Sequence, residues 1–494
     1  MNDTTSPGTV TSGERPRRAD PAGWGRAPGK GPSGFYRGLR AAVRGALRVY
    51  YRTVEVTGRE HLDASRPTIL AATHGNSIVD PLLLGLFEDR QVTFCARDGL
   101  FKVPLFGRLL RAVGAVPIAR PSDHGKGNVD NAGAFAAARK VLEDRGVIAI
   151  FPEGHTHERL KVHRLKTGAA RIALDAAIAG DTNVQIVPVA LNYLVRQAFR
   201  SDVHVAFGHP IDARAFAAAA ADDPRAAARS LTDHLEEALR ELAVHVDETE
   251  DERVIAQVTS LIVDIRHEEG LDGGGQTPAE RTALVRRVVD AYRWLTERDP
   301  EKTAGLRRRL QRYLEERTDL GLGGESAALQ HRSEASKGAA SKRFRSRRRF
   351  IVLGAPAALY GAVHNAPPYL LLRGFLRVTK PRKDRQALTK LLVGLSLFGG
   401  SWVAYALAVA MVFGPVAGLA YGLTLPFAAV FALRYATEVR LHRLNWRGLR
   451  SLWVHSERIA ALRDERDALK GEIAALREEY LAEMAAQGGS AAAG

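Results

Sequence analysis

His74 and Asp80 lie six positions apart in a short stretch that also holds Thr73, Gly75, Asn76 and Ser77 and ends at Pro81. A histidine and a carboxylate in one turn can form a base and its orienter. The carboxylate, bonded to one imidazole nitrogen, fixes the tautomer and leaves the other nitrogen free to take a proton. General-base help of this kind is worth roughly 10²–10⁴-fold in rate. On one helix, at about 100° per residue, a six-residue step cannot put both side chains on one face. The pair can therefore meet only if His74 lies outside the helix and the turn folds back. Each residue also has an ordinary reading: Asp80 as a helix cap, and His74, Asn76 and Ser77 as turn formers.

The elements that must position the pair are legible around it. A β-rich run at 67–72 leads in and an apolar run at 82–87 leads out. Asp80 before Pro81 predicts a helix start, with Asp80 as N-cap and proline at the first helical position. His74 then falls in a strand-to-helix turn, where loops commonly carry catalytic groups. Across 52–210, candidate strands at 53–56, 68–72, 92–96, 115–119, 147–151, 184–190 and 203–207 alternate with helical runs near 81–88, 104–112, 130–144 and 167–179. That alternation predicts an α/β fold, a layered mixed sheet with flanking helices.

Three further blocks follow in order. They are the run from Gly114 to Arg120, then Phe151, Pro152, Glu153 and Gly154, then Ile186, Val187 and Pro188. With the His…Asp block, this set resembles the phospholipid/glycerol acyltransferase superfamily, marked by His…Asp, Gly…Arg, F-P-E-G and a proline-bearing strand. The superfamily's usual block has four residues between His and Asp, whereas five separate His74 from Asp80. The form His-x-Asn-x-x-x-Asp-Pro is similar to the branch of fungal-type glycerol-3-phosphate/dihydroxyacetone-phosphate acyltransferases.

The resemblance implies transfer of a fatty acyl group from acyl-CoA or acyl-carrier protein to a hydroxyl of glycerol 3-phosphate or 1-acylglycerol 3-phosphate. His74 would be the base and Asp80 its orienter. Arg120 would hold the acceptor phosphate, since a guanidinium can take two phosphate oxygens at once. Glu153 and Gly154 would help to bind the acceptor, Glu153 by orienting Arg120 or a glycerol hydroxyl, and Asn76 would join them. Lys166, opening a helix, could add a second cation at its N-terminus or be an ordinary surface lysine. No cofactor is implied beyond the acyl carrier as co-substrate. His155, His157 and His163 include a His-x-His pair that could bind zinc, but no carboxylate or cysteine completes a set, so no metal is expected. Two alternatives stay open: a non-catalytic membrane-anchored scaffold of this fold, and a transferase with a different lyso-lipid acceptor.

With 494 residues the chain has room for about three domains. A formal charge of +16 implies an anionic partner: nucleic acid, a membrane surface or a phosphorylated substrate. The basic residues lie beside apolar runs rather than on one reading element, which argues against nucleic acid. The single cysteine, Cys95, excludes an intrachain disulfide framework and fits a reducing compartment. It sits in an apolar run and is expected to be buried and inert. No secretory signal is visible at the start.

The organisation reads as follows. Residues 1–34 are poor in apolar residues and expected to be a disordered basic tail. The acyltransferase domain covers 35–215. It opens with a basic amphipathic helix that suits either a membrane surface or its own domain. A helical extension at 216–320 and a basic linker at 321–349 follow. A membrane region at 350–440 begins with the proline-broken segment 350–372 as a re-entrant, interfacial or imperfect span. Residues 391–433 carry no charge and suit a hairpin of two spans, 391–413 and 416–433. Lysines and arginines flank both of its ends, which places both flanks and the catalytic domain on the cytoplasmic side. In the tail at 441–494, residues 459–480 keep a heptad rhythm that fits self-association through a coiled coil or a docked amphipathic helix equally well.

Overall fold

The computed structural model describes residues 33–104, 106–119, 131–157, 159–179, 182–193, 201–268, 276–320, 322, 334–380 and 383–491. All but the end of the expected tail at 1–34 falls outside them, as does Arg120. The chain forms two compact units. One holds Met1–Glu158, Val162–Val244 and Thr277–Thr282, and the other Arg159–Lys161, His245–Gln276 and Ala283–Gly494.

The first unit is built on an eight-stranded sheet. Its strands are β1 (Thr53–Thr57), β2 (Thr68–Ala72), β3 (Val92–Arg97), β4 (Val116–Ile118), β5 (Val147–Ile150), β6 (Gln185–Tyr193), β7 (Asp202–Phe207) and β8 (Ile211–Asp212). The order is β1-β7-β6-β2-β5-β3-β4, with β8 also on β6. Pairing is parallel except where β6 meets β7 and β8. The central strands β2, β5 and β6 are buried along their whole length, which is why they read as continuous apolar runs rather than alternating ones.

Pro188 sits inside β6 at the place that suits a residue without an N–H. Gln185 and Ile186 pair with β8, and the pairing with β7 begins only at Val189. Pro188 is in register with Ala71 of β2, and its carbonyl accepts the Gly208 N–H at 2.9 Å on the other side, so its missing N–H falls at the end of the β6–β7 ladder.

Helices α1 (Gly34–Tyr50), α2 (Val79–Phe87), α3 (Phe106–Ala112), α4 (Ala132–Glu143), α5 (Gly168–Ala179), α6 (Arg214–Asp222) and α7 (Pro224–Leu242) complete this unit. Leu231, Leu235 and Leu239 of α7 enter the same core as Ile69 of β2 and Ile172 of α5. The unit therefore runs to Val244, past the expected boundary at 215, because α7 is one wall of the core. Ser33 caps α1 by accepting the Tyr36 N–H at 3.2 Å. Tyr36 and Leu47 of α1 are buried, and the Arg40 guanidinium donates to the Leu86 carbonyl at 2.9 Å. Of its two expected settings, α1 thus takes the one against its own domain.

In the second unit, α8 (Thr249–Glu268), α9 beyond Thr282 (the helix is Pro278–Arg298), α10 (Pro300–Asp319) and α14 (Ser456–Ala491) pack together. Between α10 and α14 run three long helices, α11 (Glu334–Thr379), α12 (Lys383–Phe413) and α13 (Pro415–Val454). Two stretches are long and apolar enough to cross a membrane, Val393–Phe413 and Pro415–Arg440. They meet at Gly414, whose φ of +91° ends α12. The expected linker at 321–349 is corrected in part: from Glu334 it is the first third of α11, because Ala, Lys and Arg favour helix. The heptad residues Ile459, Leu462 and Leu469 are buried with Val254, Leu261, Leu310 and Tyr313, so α14 is docked on its own chain.

Candidate active site

The parallel strands β2, β5 and β6 all point their carboxyl ends to one edge of the sheet, where α/β folds leave a crevice for ligands. β2 ends at Ala72, and the chain leaves it into a turn in which Ser77 takes a left-handed φ of +44°. That reversal brings the start of α2 back beside the strand end. The Nδ1 of His74 lies 2.9 Å from Oδ2 of Asp80.

Asp80 is not the cap of α2, as its place before Pro81 suggested. Ile78 occupies the cap position without a side-chain bond, and Asp80 is inside the first turn. Its carboxylate points away from the helix N–H groups and accepts the Asn76 N–H at 2.7 Å. The other oxygen, Oδ1, accepts the hydroxyl of Tyr193 at the end of β6. Asp80 is 0% exposed, and with donors on both oxygens the buried carboxylate is satisfied. Asn76 donates its amide to the Tyr51 hydroxyl at 3.3 Å. Burial pushes the Tyr51 phenol well above its usual range.

Glu153 was expected to touch the acceptor or to orient Arg120. Its side chain is 1% exposed and bonds to the histidine loop. Oε1 accepts the His74 N–H at 3.0 Å. Oε2 accepts the His163 N–H at 3.1 Å and pairs with Nε2 of His157. Burial alone would raise this carboxyl, but the His157 ring and the N–H groups of His163 and His74 hold it below the usual carboxylate range. His157 also donates its N–H to the His74 carbonyl at 3.3 Å. The His74 ring stacks on Phe151, with centroids 4.2 Å apart. The main chain and ring plane of His74 are therefore fixed from three sides.

Gly154 has a φ of +74° and closes a turn on the Phe151 carbonyl at 3.0 Å. A Cβ there would stand 2.9 Å from Cδ of Lys166, so the glycine serves both the turn and the passage of the lysine stem. Lys166 is exposed and lies two residues before α5 begins at Gly168. Its N–H donates to the Pro152 carbonyl at 2.9 Å. Arg120 is outside the described residues, but the residue before it is held on both sides. Ala119 donates to Oδ1 of Asn131 and accepts from Nδ2, each at 3.0 Å.

His155, His157 and His163 do cluster, with ring centroids 4.2–5.8 Å apart. Among the described residues no group is arranged to hold a metal ion. Cys95 is free and half-buried, and burial of its thiol pushes the pKa up to about 12.

Residues 53–192 match the acyltransferase family model. Glycerol-3-phosphate O-acyltransferase 2 of Saccharomyces cerevisiae is 38% identical over 84 residues, which are 17% of this chain and 11% of the yeast protein. The lyso-ornithine lipid O-acyltransferase of Rhizobium meliloti is 30% identical over 183 residues, 36% of this chain and 52% of that one. The chain thus spans about a tenth and about half of these relatives' lengths. Among solved structures, the 1-acyl-sn-glycerophosphate acyltransferase PlsC of Thermotoga maritima aligns over 42% of this chain and 78% of its own, with 21% identity and a TM-score of 0.33. The segment from β1 to β6, with its His…Asp pair and F-P-E-G turn, is the part of the chain that matches the acyltransferase family.

Proposed function

We propose that the protein is a membrane-bound O-acyltransferase of glycerophospholipid synthesis. It moves a fatty acyl group from acyl-CoA or acyl-carrier protein to glycerol 3-phosphate or 1-acylglycerol 3-phosphate. The observation that carries this reading is the His74–Asp80 pair at the carboxyl edge of parallel strands, inside the family-matched segment.

In this mechanism Nδ1–H of His74 donates to Asp80, and Nε2 takes the proton of the acceptor hydroxyl as its oxygen attacks the thioester carbonyl. A C–O bond forms, and the tetrahedral oxyanion collapses with loss of the C–S bond. The imidazolium returns its proton to the departing thiolate. No acyl-enzyme is formed. Arg120, by resemblance, holds the acceptor phosphate. Glu153 and His157 act through His74 by fixing its main chain, and Tyr193 acts through Asp80. They are positioning residues.

A second acceptor class, a lyso-lipid other than lysophosphatidate, is favoured by the Rhizobium relative. In the bilayer, α12 and α13 form a hairpin, with both flanks and the catalytic domain on the cytoplasmic side as the flanking Lys and Arg residues direct. The test of the reading is purified protein with one acyl-CoA and a panel of glycerol 3-phosphate, dihydroxyacetone phosphate, lysophosphatidate and lyso-ornithine lipid. Transfer to a phosphorylated glycerol is expected. Transfer to none of the panel would overturn the reading.

A further inference from the structure

We infer that α11 is a third lipid-embedded element, which enters the bilayer and leaves it on the same face without crossing. The inference deepens the membrane-hairpin reading and rests on it. The first argument is parity. Val254 and Leu261 of α8 and Leu310 and Tyr313 of α10 share one core with Ile459, Leu462 and Leu469 of α14. Arg309 of α10 bonds Glu465 at 3.0 Å and Glu472 at 2.5 Å. Helices that share a core lie in one compartment, so the chain between them crosses a bilayer an even number of times. α12 and α13 already supply two crossings, which leaves none for α11.

Yet α11 has the surface of a membrane helix. Val352, Leu353, Leu359, Val363, Leu370 and Leu371 are each more than half exposed, over a stretch where water would charge heavily for so much apolar area. Lipid is the solvent that fits them, and the same outward leucines continue on α12 and α13.

The path of α11 follows from its contacts. Arg347 pairs with Glu438 at 2.7 Å, and the Tyr435 hydroxyl donates to the Ile351 carbonyl at 3.0 Å. Further along, Tyr360 meets Thr424 at 2.7 Å and His364 meets Tyr421 at 2.6 Å. Residues 347–364 thus run antiparallel to α13 and reach about 25 Å along it at 1.5 Å per residue. The two helices touch backbone to backbone, since a Cβ on Gly361 would stand 2.2 Å from the Ala428 carbonyl oxygen.

Beyond that point the contacts run back along α12. The Trp402 indole donates to Asn365 at 3.0 Å, and Leu372 lies against Gly394. α12 and α13 are themselves antiparallel, as the meeting of Gly418 with Ala410 and of Gly422 with Ala406 requires. The contacts of α11 therefore pass from α13 to α12 beyond His364. The change falls at Pro367 and Pro368 within the helix, two residues that each remove a helical N–H, crowd the preceding turn and bend the helix there.

Polar groups at that depth must be satisfied within the protein. Nδ1 of His364 bonds the Tyr360 carbonyl at 2.7 Å, and Asn365 donates to the Gly361 carbonyl at 2.8 Å. Both ends of α11 are basic: Arg345, Arg347, Arg348 and Arg349 at its entry, Arg373, Arg377 and Lys380 at its return. The turn at Gly414 has no charge within several residues on either side. One face of the bilayer therefore receives all the positive charge.

The single native cysteine makes the test direct. In a Cys95→Ala background, the full chain is prepared in sealed vesicles of one orientation, with single cysteines at Ser346, Val363, Leu371, Lys380, Val416 or Ser456. Each is probed with a membrane-impermeant maleimide from either side. Ser346→Cys, Lys380→Cys and Ser456→Cys should label from one face and Val416→Cys from the other. Val363→Cys and Leu371→Cys should label at least tenfold more slowly from both faces. Labelling of Lys380→Cys from the Val416 face would overturn the inference, because α11 would then cross. Full labelling of Val363→Cys and Leu371→Cys from the Ser346 face, with Val416→Cys still opposite, would overturn it and leave the hairpin standing. Labelling of Val416→Cys from the Ser346 face would remove the hairpin and this inference with it.

Discussion

Asp80 holds its place through three donors: the His74 ring, the Asn76 N–H and the Tyr193 hydroxyl. Losing the hydroxyl leaves one buried carboxylate oxygen without that donor. Tyr193→Phe should therefore lower kcat several-fold and leave KM for both substrates nearly unchanged. An equal loss in kcat and in binding of both substrates would assign Tyr193 to packing alone. The groups facing the pair besides Tyr193 are Tyr51, Glu153 and His157. For Glu153 the sign is fixed by its lowered carboxyl pKa. Its stabilisation is complete above the ordinary value of 4.5 and is lost as the pH falls through the lower folded value. The gap in thermal midpoint between wild type and Glu153→Gln should close below about pH 4.5; a gap constant down to pH 3 would remove the linkage. The His74–Asp80 pair was legible because both residues share one turn. Tyr193 was not, since 113 positions separate it from Asp80 and nothing in an all-buried strand marks one hydroxyl as special.

The elements followed the sequence closely where a long apolar run is bounded by Gly, Pro or a charge. β2 spans Thr68–Ala72 as expected, and the other six predicted strands lie within a few residues of their expected bounds. β8 escaped notice because two residues carry no period. The start of α2 was displaced because Asp80 next to proline has the composition of a cap, while its carboxylate is drawn back to the turn by Asn76 and His74. The bonds of Glu153 to His74, His157 and His163 were obscured in the same way, as partners that arrive from a loop cannot be read from spacing. At the end of β4, the clamp of Asn131 on Ala119 should set the direction in which the chain enters Arg120. Asn131→Ala is expected to raise KM for a phosphorylated acceptor several-fold and to leave KM for acyl-CoA nearly unchanged. Steady-state kinetics with both substrates varied would decide it, and equal changes would make the clamp a matter of general stability.

Over the whole molecule, the charge-free run at 391–433 and the docking of α14 beside α8 and α10 point to one arrangement. Leu407 is 57% exposed, so Leu407→Arg would be harmless in water. At mid-span it should cost about 2.5–3.5 kcal/mol and sharply lower the membrane-inserted fraction after carbonate extraction. Unchanged insertion would place α12 outside the bilayer. The heptad at 459–480 left two outcomes open, and only the packing against α10 shows which face is covered. The central claim, that His74 is the base of an acyl transfer, is tested most directly by His74→Ala. The full-length variant in lipid, compared with wild type for folding and membrane association, should lose at least about 10²-fold in transfer from acyl-CoA to the acceptor. A folded, membrane-bound His74→Ala protein that transfers acyl groups at the wild-type rate would contradict it.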